Sequence, residues 1–301
     1  GGIIMRIALG VTGSVAATLV PRLVERLLVA GHEVRIVETN NIRYFYALDE
    51  LPATIAVYTD ADEWAGERYE KGQEILHIAL RDWADILLIA PLSAHTLAKM
   101  ALGMCDNVLT CMVRAWKFEK PMIVAPAMNT VMWENPFTHD HLSKIRDVYD
   151  AHVVLPIAKK LACGDTGVGA MAHIDDIIAA TNECARWIFP LPTGVCPGIP
   201  DTSHPGSFGY HRSHECHGGV DLYCHEGSPV YAVESGVVVH VGSFTGASVG
   251  MPWWEETHAV YVRCRSGVVC YGEITPKGWV RDGVRVSRGS CIGSVTPVIK
   301  P

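Results

Sequence analysis

The first residues that could do chemistry lie at a turn. An apolar run over residues 5–11 (MRIALGV) enters Gly10-Val11-Thr12-Gly13-Ser14 and passes directly into a helical pattern over 15–30. A Gly/Ser turn at a helix start offers unpaired N–H groups and the positive end of the helix dipole, which suits a phosphate. The glycine spacing is not the full dinucleotide pattern, so a lone phosphate fits better; a plain tight turn reads equally well. Small and hydroxyl residues recur where other apolar runs end, at Thr39-Asn40-Asn41, at Ser93-Ala94-His95-Thr96 and at Ala127-Met128-Asn129. They let a ligand approach the backbone, and Ser93, Thr96 and Asn129 can also cap helices. His77 opens a helical stretch, where it reads as a base or a structural imidazole. Cys163 precedes a Gly-rich run over 164–169 and reads as a reactive or an inert thiol.

Parallel strands between helices would position these residues. Runs at 5–11, 84–91, 120–128 and 152–156 are nearly continuous in apolar residues, HEVRIVET at 32–39 reads as a further strand, and all alternate with helical patterns. That is the pattern of a parallel sheet covered on both faces, an α/β doubly wound layout. Its ligands bind at the carboxyl ends of the strands. Residues 189–209 are dense in Pro and Gly and read as a linker or extended arm. Beyond them, short alternating strands at 228–235, 236–243, 258–265, 267–274 and 289–295 predict a small all-β domain. The expected division is 1–188, 189–209 and 210–301.

Composition limits the function classes. The 301 residues are 49% hydrophobic and 19% charged, with a net charge of −7. This builds cores, and with no long basic run it argues against nucleic-acid binding. No apolar stretch predicts a membrane span. Of ten cysteines, those in the first two thirds lack metal-type spacing and scaffold density, which reads as cytoplasmic; six crowd the last third.

Three separated motifs carry a family resemblance. LHIALRDWADILLIAPLSAHTLAKMALGMCDNVLTCMVRAW, KPMIVAPAMNTVMWENPFT and LACGDTGVGAM resemble phosphopantothenoylcysteine decarboxylase, nearest the plant halotolerance proteins, over about residues 5–188. The resemblance implies a flavodoxin/Rossmann-like subunit, FMN, and a homotrimer with active sites at subunit interfaces. It also implies conversion of 4′-phospho-N-pantothenoylcysteine to 4′-phosphopantetheine in coenzyme A biosynthesis. Loss of carbon dioxide from a cysteine carboxylate needs an electron sink, which thiol oxidation by the flavin provides.

By the same resemblance, His77 is the catalytic base, Cys163 the proton donor and Asn129 the holder of the substrate carboxylate. Met132, Lys160, Ala162 and Met171 line the substrate pocket. The cofactor set is Gly13, Ser14, Val15, Thr39, Ser93, Ala94, His95, Thr96 and Ala127. Two positions depart from the family pattern: His95 replaces the usual Asn, and Lys160 replaces an Arg, losing its bidentate fork.

In the last third, His217-Gly218-Gly219-Val220-Asp221 followed by GSPVYAVESGVVVHVG resembles LytM/lysostaphin-type zinc endopeptidases and a related secreted leukocyte chemotaxin, over about 205–297. That implies His217 and Asp221 as zinc ligands. Glu273 stands where a His is expected and no later H-x-H follows, so peptidase activity is not expected. His211, His214 and His240 are spare candidates. The expected role is binding or structural, with Trp253 and Trp254 as a contact patch or a cover for the small core. Two rivals remain at this level: a peptidyl-cysteine decarboxylase with a peptide-recognition domain, and a non-enzymatic phosphatase-regulating flavoprotein.

Overall fold

A computed structural model describes residues 4–64, 68, 70–160, 166–184, 186–192, 194–196, 198–211 and 216–298. The chain divides into two compact units, Gly1–Arg186 and Trp187–Pro301.

The first unit opens with β1 (Arg6–Val11), a 3-10 turn (Val15–Leu19) and α1 (Val20–Val29). The continuous helix expected over 15–30 is therefore split. Pro21 has no N–H, and Val20 N–H closes a tighter bond to Ala17 O just before it. Next come β2 (Glu33–Glu38), β3 (Ala56–Tyr58), α2 (Asp60–Glu63), α3 (Leu76–Trp83) and β4 (Ile86–Leu92). They are followed by α4 (Ala94–Leu102), α5 (Val108–Arg114), β5 (Met122–Pro126), α6 (Thr130–Glu134), α7 (Pro136–Tyr149) and β6 (His152–Val153). A hairpin of β7 (Ile157–Lys160) and β8 (Thr166–Ala170) leads into α8 (Ile174–Cys184).

The main sheet has the order β3-β2-β1-β4-β5-β6, and its pairings are parallel. Strand alternation splits the core into two layers. Ile86 and Leu88 face one side with Leu23 and Leu27 of α1 and Ile177 of α8. Leu87 and Ile89 face the other with Leu97, Leu109, Met112 and Leu142 of α4, α5 and α7. All seven residues of β4 are buried, which is why that run is apolar throughout. The chain winds outward from β1 through β2 to β3, then crosses back to β4. The order thus reverses between β1 and β4, where an open α/β sheet leaves its crevice.

The second unit contains β9 (Pro229–Tyr231), β10 (Gly236–Thr245), β11 (Thr257–Cys264), β12 (Gly267–Pro276), β13 (Arg285–Val286) and β14 (Cys291–Val295). They form an antiparallel sheet in the order β13-β10-β11-β12-β14-β9. Its core includes Val230, Val238, Val260, Val262, Tyr271, Ile274 and Ile292. Leu191 packs into this core and Tyr231 N–H donates to Pro190 O at 2.8 Å. The stretch expected as a linker therefore contributes to the β unit at its start, because its one buried leucine finds an apolar layer there. Glu273 sits at φ 58° where two residues of β12 bulge against one of β11. No helix among the described residues is long and apolar enough to cross a membrane.

Candidate active site at the carboxyl ends of the sheet

The ends of β1, β2, β4 and β5 are tied to one another by hydrogen bonds. Thr12, fully buried, donates its hydroxyl to Pro91 O at 2.8 Å and accepts from Ser93 N–H at 2.8 Å. Thr39 N–H donates to Val11 O at 3.0 Å, and Ala127 N–H to Leu92 O at 2.9 Å. Glu38, just before Thr39, is buried and accepts from both Tyr46 Oη and Arg43. Burial and this carboxylate push the Tyr46 phenol above its ordinary range. The turn after β1 is capped by Ser14, whose Oγ accepts from Ala16 N–H at 3.3 Å. Ser93 caps α4 by accepting from Thr96 N–H at 3.3 Å, and Asn129 caps α6 by accepting from Val131 N–H at 2.8 Å. The capping reading of these residues holds. It is also what brings Ser14, Ser93 and Asn129 to the same end of the sheet.

A cavity of about 630 Å³ opens here, within the range of small-ligand sites. Five expected site residues line it: Ser14, Val15, Ala127, Asn129 and Met171. Met128 and Gly169, which fall inside the family-like motifs, line it as well; so do Arg22, His173 and Asp175, which no motif or spacing marks. The hairpin closes one wall. Met128 N–H donates to Gly169 O at 2.9 Å, and a Cβ on Gly169 would lie 2.3 Å from Met128 O. Open space surrounds the Cα of Gly13, where an added Cβ would meet nothing within 4 Å. Gly13 is exposed and outside the lining set, whereas Ser14 and Val15 bring the start of the helical turn onto the cavity, where backbone N–H groups suit a nucleotide phosphate. Thr39, Ser93, Ala94, His95 and Thr96 lie on neighbouring strand ends and helix starts outside the lining set; Thr96 is buried and His95 exposed. Met132 is likewise outside it and half exposed on α6. Ala162 and Cys163 lie outside the described residues, as does the side chain of Lys160.

His77 is the second residue of α3 and is not among the cavity-lining residues. Its ring Nδ1 lies 2.6 Å from Glu63 Oε1, and its backbone N–H donates to Glu63 Oε2 at 3.1 Å. Both side chains are largely buried, 23% and 10% exposed. Sequence reasoning did not find Glu63, which sits at the end of another helix.

In the second unit, His217 Nε2 lies 3.1 Å from Asp221 Oδ1, and Nδ1 lies 3.0 Å from Ser207 O. The two expected zinc ligands thus meet each other. Among the described residues, no group of three or more His, Cys, Asp or Glu side chains is placed to hold a metal. His211 contacts Cys216 and His240 packs on Tyr261 instead; His214 lies outside the described residues.

The sequence and fold of the first unit are similar to known proteins. The family profile described as Flavoprotein covers residues 4–186, and the chain belongs to that family. Over 177 residues it is 48% identical to the phosphopantothenoylcysteine decarboxylase of Mus musculus, covering 58% of this chain and 84% of that protein. A solved phosphopantothenoylcysteine decarboxylase, a cysteine-to-serine mutant complexed with pantothenoylaminoethenethiol, is 46% identical with a TM-score of 0.57. It covers 60% of this chain and 98% of its own. The FMN binding protein AtHal3 is similar at 46% identity and a TM-score of 0.55, covering 60% and 96%.

Proposed function

We propose that the first unit is an FMN-dependent phosphopantothenoylcysteine decarboxylase, a carboxy-lyase of coenzyme A biosynthesis. The observation that carries this reading is the cavity at the ends of β1 and β5, in a unit that over 177 residues is 48% identical to a protein named for that activity. Gly13, Ser14 and Val15 would hold the cofactor phosphate. Thr39, Ser93, Ala94, His95, Thr96 and Ala127 would hold the rest of the nucleotide. When bound, the flavin supplies the two-electron redox step that makes the cysteine carboxylate a leaving group.

The chain supplies orientation and protons. Asn129 would orient the substrate carboxylate without adding charge. His77 would take the thiol proton, and Cys163 would return a proton at the end. Met132, Lys160, Ala162 and Met171 would line the substrate, with Lys160 as a point charge. Following the family resemblance, we place the complete site between subunits of a homotrimer; His77 lies outside the cavity lining, as do several of the proposed cofactor residues. Exposed Ile75, Leu102, Val131, Met132 and Phe137 give that assembly apolar surface to cover. A soluble cytoplasmic enzyme is the setting this activity needs. For the second unit we propose a binding or structural role on a LytM-like β scaffold without peptidase activity. The H-x-x-x-D motif and the sheet support that scaffold, and with no group of three ligating side chains among the described residues the His217–Asp221 pair gives little basis for zinc.

The test is turnover of synthetic 4′-phospho-N-pantothenoylcysteine by the full chain, read by mass spectrometry, beside peptides ending in cysteine. The expected result is a yellow protein that forms 4′-phosphopantetheine and leaves the peptides intact. Peptide decarboxylation alone, or a protein that takes up no FMN, would overturn the reading.

A further inference from the structure

We propose that Glu63 is a positioning residue that fixes the His77 imidazole with hydrogen on Nδ1 and leaves Nε2 as the atom that exchanges protons. The use of that imidazole rests on the decarboxylase reading above; its tautomer does not.

The argument begins with donors and acceptors. The His77 backbone N–H is an obligatory donor and reaches Glu63 Oε2 at 3.1 Å. The other oxygen, Oε1, is 2.6 Å from Nδ1. An ionised carboxylate only accepts, so Nδ1 must carry hydrogen. That holds whether the ring is neutral or charged. A proton taken from a substrate thiol therefore arrives on Nε2, and it leaves from the same atom. The pairing follows the rule that a working histidine is oriented by the partner of its other ring nitrogen.

Glu63 is itself held in place. Asp62 Oδ2 accepts from Thr59 N–H at 2.7 Å and from Thr59 Oγ at 2.8 Å, closing the start of α2. Asp60 Oδ1 accepts from Val108 N–H at 2.9 Å, pinning α2 to the first turn of α5. The residue before α3, Ile75, offers no side-chain cap. Glu63 fills that gap from 14 residues away, and its charge lies at the positive end of the α3 dipole.

A capping carboxylate could do this for stability alone, so the test must separate the two roles. In Glu63→Gln one oxygen remains. If it accepts from the fixed backbone N–H, the amide NH2 faces Nδ1 and drives the ring hydrogen to Nε2. The experiment uses FMN-loaded full-length protein with 15N-labelled histidine, wild type and E63Q, with kcat and KM measured alongside. The wild-type ring should show Nδ1–H and the variant Nε2–H. The variant should lose on the order of 100-fold in kcat, with flavin content unchanged and KM little altered. In a His77→Asn background, E63Q should cost nothing further.

An Nε2–H ring in the wild type would overturn the proposal. So would E63Q turnover near wild type, or an added loss in the His77→Asn background. Should E63Q not fold, Glu63→Asp keeps the carboxylate and should keep the Nδ1–H signature. Wild-type protein that fails to decarboxylate the substrate but shows Nδ1–H would defeat the functional reading and leave the positioning intact.

Discussion

A single buried hydroxyl joins the ends of the two strands where the sheet order reverses. Thr12, fully buried, bridges the ends of β1 and β4 through Pro91 O and Ser93 N–H. Thr12→Val keeps the shape and orphans both partners, so it should cost about 1–3 kcal/mol. Chemical denaturation should show that loss, and flavin fluorescence should show weaker cofactor retention. Tyr46→Phe strips the buried Glu38 of one donor beside Thr39 and should cost on the order of 1–2 kcal/mol by the same measurement. At this scale the sequence was informative where a residue acts through its neighbours in the chain. Ser14, Ser93 and Asn129 cap the helices that follow them, and their types announce it. Glu63 acts on a residue in another helix, and Arg22 and His173 reach the cavity only through packing. No spacing rule carries such contacts.

The helix that carries His77 is anchored at its far end by Asp82. Hydrogen bonds from Arg81 and then Lys117 lower its carboxyl from 3.8 to about 2. A depressed carboxyl favours the folded state above about pH 3.8, and that contribution fades as the pH falls towards 2. Asp82→Asn should therefore flatten the acid limb of a thermal-midpoint titration in this window. The effect should be small and shrink with salt, since the side chain is 48% exposed.

The hairpin β7–β8 makes a sharper prediction. Gly169 has φ 153° and no room for a Cβ, so Gly169→Ala should cost on the order of 1–3 kcal/mol. It should also release flavin, which absorbance of the purified variant would show. The strands β1, β4 and β5 were legible because burial on both faces demands nearly unbroken apolar runs, whereas β2, with exposed Glu33 and half-buried Arg35, was legible from its place after Gly31 at the end of a helical pattern. The hairpin was not, because its Gly-rich arm has no apolar period. The two-residue β13 was hidden for want of length.

Two separate apolar interiors underlie the whole chain, one layered on a parallel sheet and one on an antiparallel sheet. Calorimetry should resolve two transitions, and added FMN should raise only the one belonging to the first unit. The change from continuous to alternating apolar strands made both fold classes visible in the sequence. The boundary was less so, because the stretch 189–209 reads as a linker yet its start donates Leu191 to the β core.

If the site is shared between subunits as proposed, the absence of His77 from the cavity lining has a genetic consequence. If neighbouring copies complete each other, a chain lacking His77 and a chain lacking Cys163 carry complementary defects. Co-expressed in one cell, two dead alleles should assemble mixed particles in which some catalytic centres are whole. A coenzyme A auxotroph carrying both would then grow where neither allele alone sustains it.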